Sequence, residues 1–148
     1  MGNFLVDNGL PALFLLSFLA ATVIPLGSEW LVATLVLKSF AVAPVVGVAT
    51  LGNYLGACTT YLVGLWGAVF FMRKIMGIDE AVLARARMLY RRYGSWSLLL
   101  SWLPVIGDPL CLVGGALRIN FLLFSLLVVA GKLARYAAIA AITAAAMP

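Results

Sequence analysis

The sequence predicts an all-α integral membrane protein: two facing re-entrant helical hairpins and two transmembrane helices in an inverted repeat, joined by a cytoplasmic amphipathic linker helix. Three observations predict it. Sixty-five per cent of the 148 residues are hydrophobic, against about 45–50% in soluble domains. Apolar segments run over 10–37, 42–71, 95–117 and 121–147, each long enough for a span by composition. Twice, an acid stands four residues after a proline inside such a segment, in Pro25-Leu-Gly-Ser-Glu29 and Pro104-Val-Ile-Gly-Asp108.

The first repeat covers residues 1–71, with a hairpin at 10–38 and a span at 42–71. Pro25 and Gly27 interrupt the hairpin near its middle. Proline removes a backbone donor and clashes with the preceding turn, so the chain bends back there. The span carries no proline after Pro44. Its Gly52-x-x-x-Gly56 lets another helix approach closely in lipid, and the expected neighbour is the first hairpin. The second repeat covers 95–148, with a hairpin at 95–117 broken by Pro104, Gly107 and Pro109 and a span at 120–147. Two kinked full spans are the alternative to hairpins. The hairpins are preferred because both breaks combine helix breakers with an acid, and interrupted segments in matching positions of two halves mark a transporter's binding site.

Between the repeats, residues 72–94 form a basic linker. Six of the ten Lys and Arg residues lie between Arg73 and Arg92, which places this segment on the cytoplasmic side and within reach of anionic lipid phosphates. Asp79 stands where an N-cap belongs. Val82, Leu83, Ala86, Leu89, Tyr90 and Tyr93 then form one apolar face, opposite Arg85, Arg87, Arg91 and Arg92, up to Gly94. This is the pattern of a helix at a membrane surface, with a solvated basic connector as the plainer alternative.

Charged residues at membrane depth are costly, and Glu29 and Asp108 are functional-site candidates for that reason. With Asn53, Arg118, Lys132 and Arg135 they make a candidate substrate or proton pathway in which two acids and up to three bases neutralise one another. Lys132 and Arg135 share a face of the last span. The expected chemistry is exchange of a proton or an ion-pair partner at Glu29 or Asp108 when an anionic head group meets the bases. The chain has no histidine, which removes the commonest general base and metal ligand, and its acids form no metal-type pair. No enzymatic activity, metal or cofactor is expected. Cys58 and Cys111 lie inside apolar segments without metal-type spacing and are expected to pack as small hydrophobes.

At the two breaks the chain resembles the DedA family, also called VTT-domain or SNARE-associated membrane proteins, and its YqaA-like branch. The resemblance rests on Pro25-Leu-Gly-Ser-Glu29, Gly52-Asn53-Tyr54-Leu55-Gly56, Tyr93-Gly94, Leu100-Ser-Trp-Leu-Pro104-Val-Ile-Gly107-Asp108, Arg118-Ile and Gly131-Lys132-Leu-Ala-Arg135-Tyr136. It implies facing re-entrant hairpins in the bacterial inner membrane, and translocation or scrambling of a phospholipid or polyprenyl-phosphate lipid, often tied to the proton gradient. It assigns roles to Glu29 and Arg118. Where family members carry arginines on both sides of the second proline, this chain has Ser101 and Gly107. The expected partners are membrane lipids and protons, with no nucleic acid and a second copy of the chain to help enclose a path. A proton-coupled antiporter of small cations or drugs, or a non-transporting membrane-homeostasis protein, are the alternatives.

Overall fold

The computed structural model describes residues 2–22, 28–67, 70, 74, 75, 77–103 and 105–146, with side chains from Asn8 onward. The hairpin breakers Pro25, Gly27 and Pro104 lie outside these residues. The described elements are helical, and no strand occurs among them. In order they are α1 (Gly2–Ala20), α2 (Glu29–Leu37), α3 (Val42–Leu65), α4 (Glu80–Tyr93), a 3-10 helix (Gly94–Trp102), α5 (Gly107–Ala116) and α6 (Phe121–Ala145).

Helices α3 and α6 are long and apolar enough to cross a membrane. At 1.5 Å per residue they extend about 36 Å, more than the roughly 30 Å hydrocarbon core. Their outward faces carry Leu51, Leu122, Leu126 and Ile142, each more than half exposed. Such a surface is a liability in water and matches lipid. α3 closes at Leu65, where Trp66 and Gly67 turn the chain and Gly67 adopts φ 76°, so the helix is shorter than the apolar segment 42–71. The apolar segment beginning at Leu10 also underestimates α1, which reaches back to Gly2 through Pro11. Each segment with a central break consists of two helices. The first limb of the second is a nine-residue 3-10 helix, not an α-helix; Ser97 Oγ donates to the Gly94 carbonyl at 2.7 Å at its start. Pro109 is accommodated in the first turn of α5, where backbone N–H groups have no partner within the helix.

Local geometry recurs at a constant interval of seventy-nine residues. Glu29 and Asp108 occupy the first turns of α2 and α5, and these helices end at the corresponding residues Leu37 and Ala116. Both close in the same way. Ser39 and Arg118 adopt left-handed φ values of 64° and 54°. Phe40 N–H then bonds back to the Leu35 carbonyl and Ile119 N–H to that of Gly114, each at 3.1 Å. This is the Schellman closure, here made without glycine at the left-handed position. Two residues later α3 and α6 begin, again at corresponding positions. Asn120 also caps α6, its Oδ1 accepting from Leu122 N–H at 2.9 Å and Leu123 N–H at 3.3 Å.

Packing joins the halves. α1 lies on α3 and the 3-10 helix on α6, while α2 packs on α6 and α5 on α3. A Cβ on Gly52 or Gly56 would meet the Phe14 or Phe18 carbonyl at 2.5 Å, so this glycine pair sets the approach of α1 to α3. Gly64 and Gly115 do the same between α3 and α5, each facing backbone of the other helix. One apolar cluster holds Ala57, Tyr61, Tyr90, Leu110, Phe124 and Val128; the other holds Leu13, Val32, Leu35, Val45, Ala49 and Tyr136. α4 seats Leu83, Ala86 and Tyr90 against the first cluster. Asp79 precedes α4 without a side-chain cap bond, and Gly94, at φ 61°, ends it. Burial pushes the Tyr90 phenol well above its ordinary value, so it stays protonated and donates to the Leu110 carbonyl at 2.8 Å.

Close helix approach predicts a sharp contrast between glycines. Gly115→Leu places a side chain into α3 backbone and is expected to lower stability by about 3 kcal/mol or more, whereas Gly47→Leu enters open space and is expected to be near neutral. Thermal unfolding of both variants in detergent checks this, and equal midpoints would contradict the packing.

Candidate functional site

Asn53 and Lys132 are each the twelfth residue of their helices, close to the middle of α3 and of α6. Along α3 the lower-numbered core residues belong to one apolar cluster and Ala57 and Tyr61 to the other; along α6 Lys132 separates Phe124, Leu127 and Val128 from Tyr136 and Ala140. The polar residues therefore occupy the seam between two apolar cores. If α3 and α6 span a bilayer end to end, that seam lies near its midplane.

Lys132 is only 4% exposed. Its Nζ donates to Asn53 Oδ1 and stands 3.9 Å from Asp108 Oδ1. Because the Asn53 oxygen accepts from lysine, its amide nitrogen points the other way and donates to Tyr136 Oη at 3.1 Å. Tyr136 Oη in turn shares a 2.6 Å hydrogen bond with Ser28 Oγ. Ser28 occupies the cap position of α2 but makes no cap bond, because its hydroxyl is turned to Tyr136. A continuous polar chain thus runs from Asp108 through Lys132, Asn53 and Tyr136 to Ser28.

A second ion pair lies beside the end of this chain. Glu29 is paired with Arg135, and Arg135 Nη1 also donates to the Trp102 carbonyl at 2.6 Å. Arg135 therefore ties the second limb of the first broken segment to the end of the 3-10 helix. Lys132, Arg135 and Tyr136 lie within one helical turn, which lets a single face of α6 serve both broken segments. Each carboxylate has two sources of positive potential: its cation on α6, and the N-terminal end of its own short helix, worth about 0.3–1 kcal/mol. With two acids and two bases, the set is formally neutral, Lys132 buried and the Glu29–Arg135 pair partly exposed.

Three buried hydroxyls flank the chain, Ser17, Thr50 and Ser101; Ser17 lies within hydrogen-bonding reach of Tyr136, and the other two have no partner among the described residues. Ser17 packs against Gly52 and Ser101 against Gly131, the neighbours of Asn53 and Lys132, and Thr50 lies one turn before Asn53. Buried hydroxyls normally find partners, and Thr50 and Ser101 keep unused hydrogen-bonding capacity beside the seam. Ser101 and Gly107 press together so closely that a Cβ on Gly107 would collide with the Ser101 carbonyl; no long side chain fits there. Positive charge near the second break comes from α6 instead.

Glu29, Asn53, Asp108, Lys132 and Arg135 are thus brought together. Arg118 is not: it is exposed at the left-handed turn after α5. Gly107 and Pro109 lie in the first turn of α5 beside Asp108. Ser28 and Tyr136 extend the set. Their sequence signal is modest, a serine beside the membrane acid and a tyrosine four residues after Lys132. No group of three or more potential metal-ligating side chains occurs among the described residues.

Apolar outer faces, two span-length helices and a neutral polar seam between them define a helical integral membrane protein. The chain is 39% identical to an uncharacterized protein of Haemophilus influenzae, over 93% of this chain and 88% of that one. It is equally similar to the inner membrane protein YqaA of Escherichia coli K12 and that of Shigella flexneri, over 92% of either partner in each comparison. It belongs to the family of the inner membrane protein YqaA, and is itself an inner-membrane protein. No family model and no solved structure matches the chain.

The Glu29–Arg135 pair is only partly exposed, so removing either partner leaves a charge poorly hydrated. Arg135→Gln is expected to cost about 1–3 kcal/mol of stability, and Glu29→Gln with Arg135→Gln to cost less than the sum of the two, with a coupling of about 1–3 kcal/mol. A double-mutant cycle from unfolding in detergent measures it; additive effects would show that the pair contributes nothing.

Proposed function

We propose that the chain is a DedA-like, VTT-domain transporter that translocates or scrambles a phospholipid or polyprenyl-phosphate lipid across the inner membrane with the help of protons. The observation that carries this reading is the polar seam: two cations midway along α6, the acids of α2 and α5 that pair with them, and a run of hydrogen-bonding side chains from Lys132 through Asn53 and Tyr136 to Ser28. A charge at the bilayer centre costs about 2.5–3.5 kcal/mol on insertion scales, an expense that structural ion pairs rarely repay against well-packed apolar side chains. A pathway for a charged group gives the expense a use.

The proposed topology has both broken segments entering and leaving on one side, from opposite faces of the bilayer, with α4 on the cytoplasmic side. It is supported by the matching helix ends at a constant interval, and by the packing of each second limb on the long helix of the other half. Helix breaks at membrane depth are tolerated where they line a cavity or protein. Here both breaks lead into the acids of the seam.

In this scheme a lipid phosphate competes with Glu29 for Arg135 and with Asp108 for Lys132. A carboxylate that loses its cation takes up a proton, and regains the cation when the phosphate departs and the proton leaves. Proton movement is thereby tied to head-group movement. The hydroxyls of Ser17, Thr50 and Ser101 offer neutral hydrogen bonds along the way. The place of Arg118 in this scheme is at the surface, meeting the head group before entry.

Reconstitution tests the reading. Wild-type protein in proteoliposomes is expected to move labelled anionic lipid between leaflets, faster with a pH gradient. Glu29→Gln and Asp108→Asn are each expected to slow this by about tenfold or more, the equivalent of one lost charge-assisted hydrogen bond. Lipid movement that both folded variants retain would overturn the role of the acids, and no movement by folded wild-type protein would overturn lipid transport.

A further inference from the structure

Away from the seam, α4 and the end of α5 enclose a surface cleft of about 270 Å³ lined by Arg87, Tyr90, Arg91, Val113, Ala116 and Leu117. Arg87 and Arg91 are one helical turn apart and form one rim. Tyr90 is held between them and α5 by its bond to the Leu110 carbonyl, and Gly114 makes room for its hydroxyl. The opposite wall is apolar and ends in Leu117, which is 58% exposed.

We infer that this cleft binds the head group of an anionic glycerophospholipid of the surrounding membrane, with Arg87 and Arg91 on the phosphate and the first part of an acyl chain against Val113, Ala116 and Leu117. Charge complementarity is one argument. Arg91 makes no ion pair among the described residues, and the Arg87–Glu80 pair is long, at 3.5 Å, with both side chains more than half exposed. Pairs of that kind contribute about 0–1 kcal/mol, whereas a guanidinium grips a phosphate with two parallel hydrogen bonds. The second argument is the wall. A soluble phosphate ester has no use for an apolar surface ending in an exposed leucine, but an amphiphile does. The third is placement: α4 is an amphipathic basic helix, and α5 leads from the cleft directly into the apolar core that holds Leu110 and Cys111. This site is distinct from the seam and does not depend on lipid transport there.

The test measures lipid retention on detergent-solubilised protein by native mass spectrometry, titrating phosphatidylglycerol or phosphatidylcholine. Wild type is expected to retain phosphatidylglycerol in preference, and Arg87→Gln with Arg91→Gln to weaken retention by about tenfold or more. Arg85→Gln with Arg92→Gln removes the same charge elsewhere on α4 and is expected to leave retention unchanged. Leu117→Glu, at an exposed position, is expected to weaken retention with both arginines intact, and it decides the matter if the double variant does not fold. Undiminished retention in the Arg87/Arg91 variant or in Leu117→Glu, or equal loss in the Arg85/Arg92 control, overturns the site. Displacement of the lipid by millimolar inorganic phosphate would overturn the lipid assignment in favour of a free-phosphate site.

Discussion

The arrangement depends on the contact between Lys132 and Asn53. A lysine ammonium at the centre of a long apolar helix must be solvated by something. Asn53 Oδ1 and Asp108 do this from two other helices, and the requirement propagates outward. With its oxygen engaged, Asn53 must donate on its other side, which fixes Tyr136 and through it Ser28. The position of Ser28 places Glu29 beside Arg135. A single buried charge thus sets the relation of α2, α3, α5 and α6, and in an apolar bundle, where hydrophobic burial discriminates poorly between alternative packings, such polar contacts supply the specificity.

Close packing is the second condition. The ammonium reaches Asn53 only because α3 and α6 run near one another, and α1 and α5 must close the remaining sides to exclude lipid. Gly52, Gly56, Gly64 and Gly115 permit those approaches by presenting backbone to backbone. The glycine stripe on α3 is therefore part of the same construction as the polar seam: Gly52 adjoins Asn53, and Gly131 adjoins Lys132, where the Leu99 carbonyl of the 3-10 helix would stand 2.8 Å from an added Cβ. Small residues are found beside the charged ones because the helices that supply their partners have to come in close.

The sequence makes much of this legible, for definite reasons. Apolar runs delimit α3 and α6 because length and hydropathy decide spanning potential without knowledge of tertiary contacts. Glu29, Asp108, Lys132 and Arg135 stand out because charges in such runs are rare. What is hidden depends on geometry. Glu29 finds its partner because α2 crosses to α6 of the other half, and Asp108 finds Lys132 on the long helix of its own half; no local pattern encodes that difference. Tyr136 stands out as a polar residue in an apolar run and in the family-like stretch from Gly131, but its partner Ser28 is an ordinary residue until its hydroxyl is seen to face the phenol. The 3-10 form of the first limb is not visible in Gly94–Trp102, and neither are the left-handed turns at Ser39 and Arg118, since glycine, the usual marker, is absent from both. Arg118 reads as a pathway residue from its charge and family position, yet the turn that closes α5 carries it to the surface.

The correspondence between the halves also explains why their side chains diverge where they do. Asn53 and Lys132 occupy equivalent positions, seventy-nine residues apart, and they touch. Equivalent positions of two related units touch only near the axis that relates them. Two lysines at such a place would repel in a medium of low dielectric, and two asparagines would leave Asp108 without a cation. One amide and one ammonium give a donor and an acceptor that match. The asymmetry continues outward: the residue equivalent to Arg135 is Gly56, which has to be small to admit α1, so only α6 can carry a second cation. Under the proposed repeat, both acids are kept by symmetry and both cations are gathered on one helix by packing. A change in how the halves meet would then bear first on Glu29–Arg135, the pair that joins them, while Asp108–Lys132 lies within the second half.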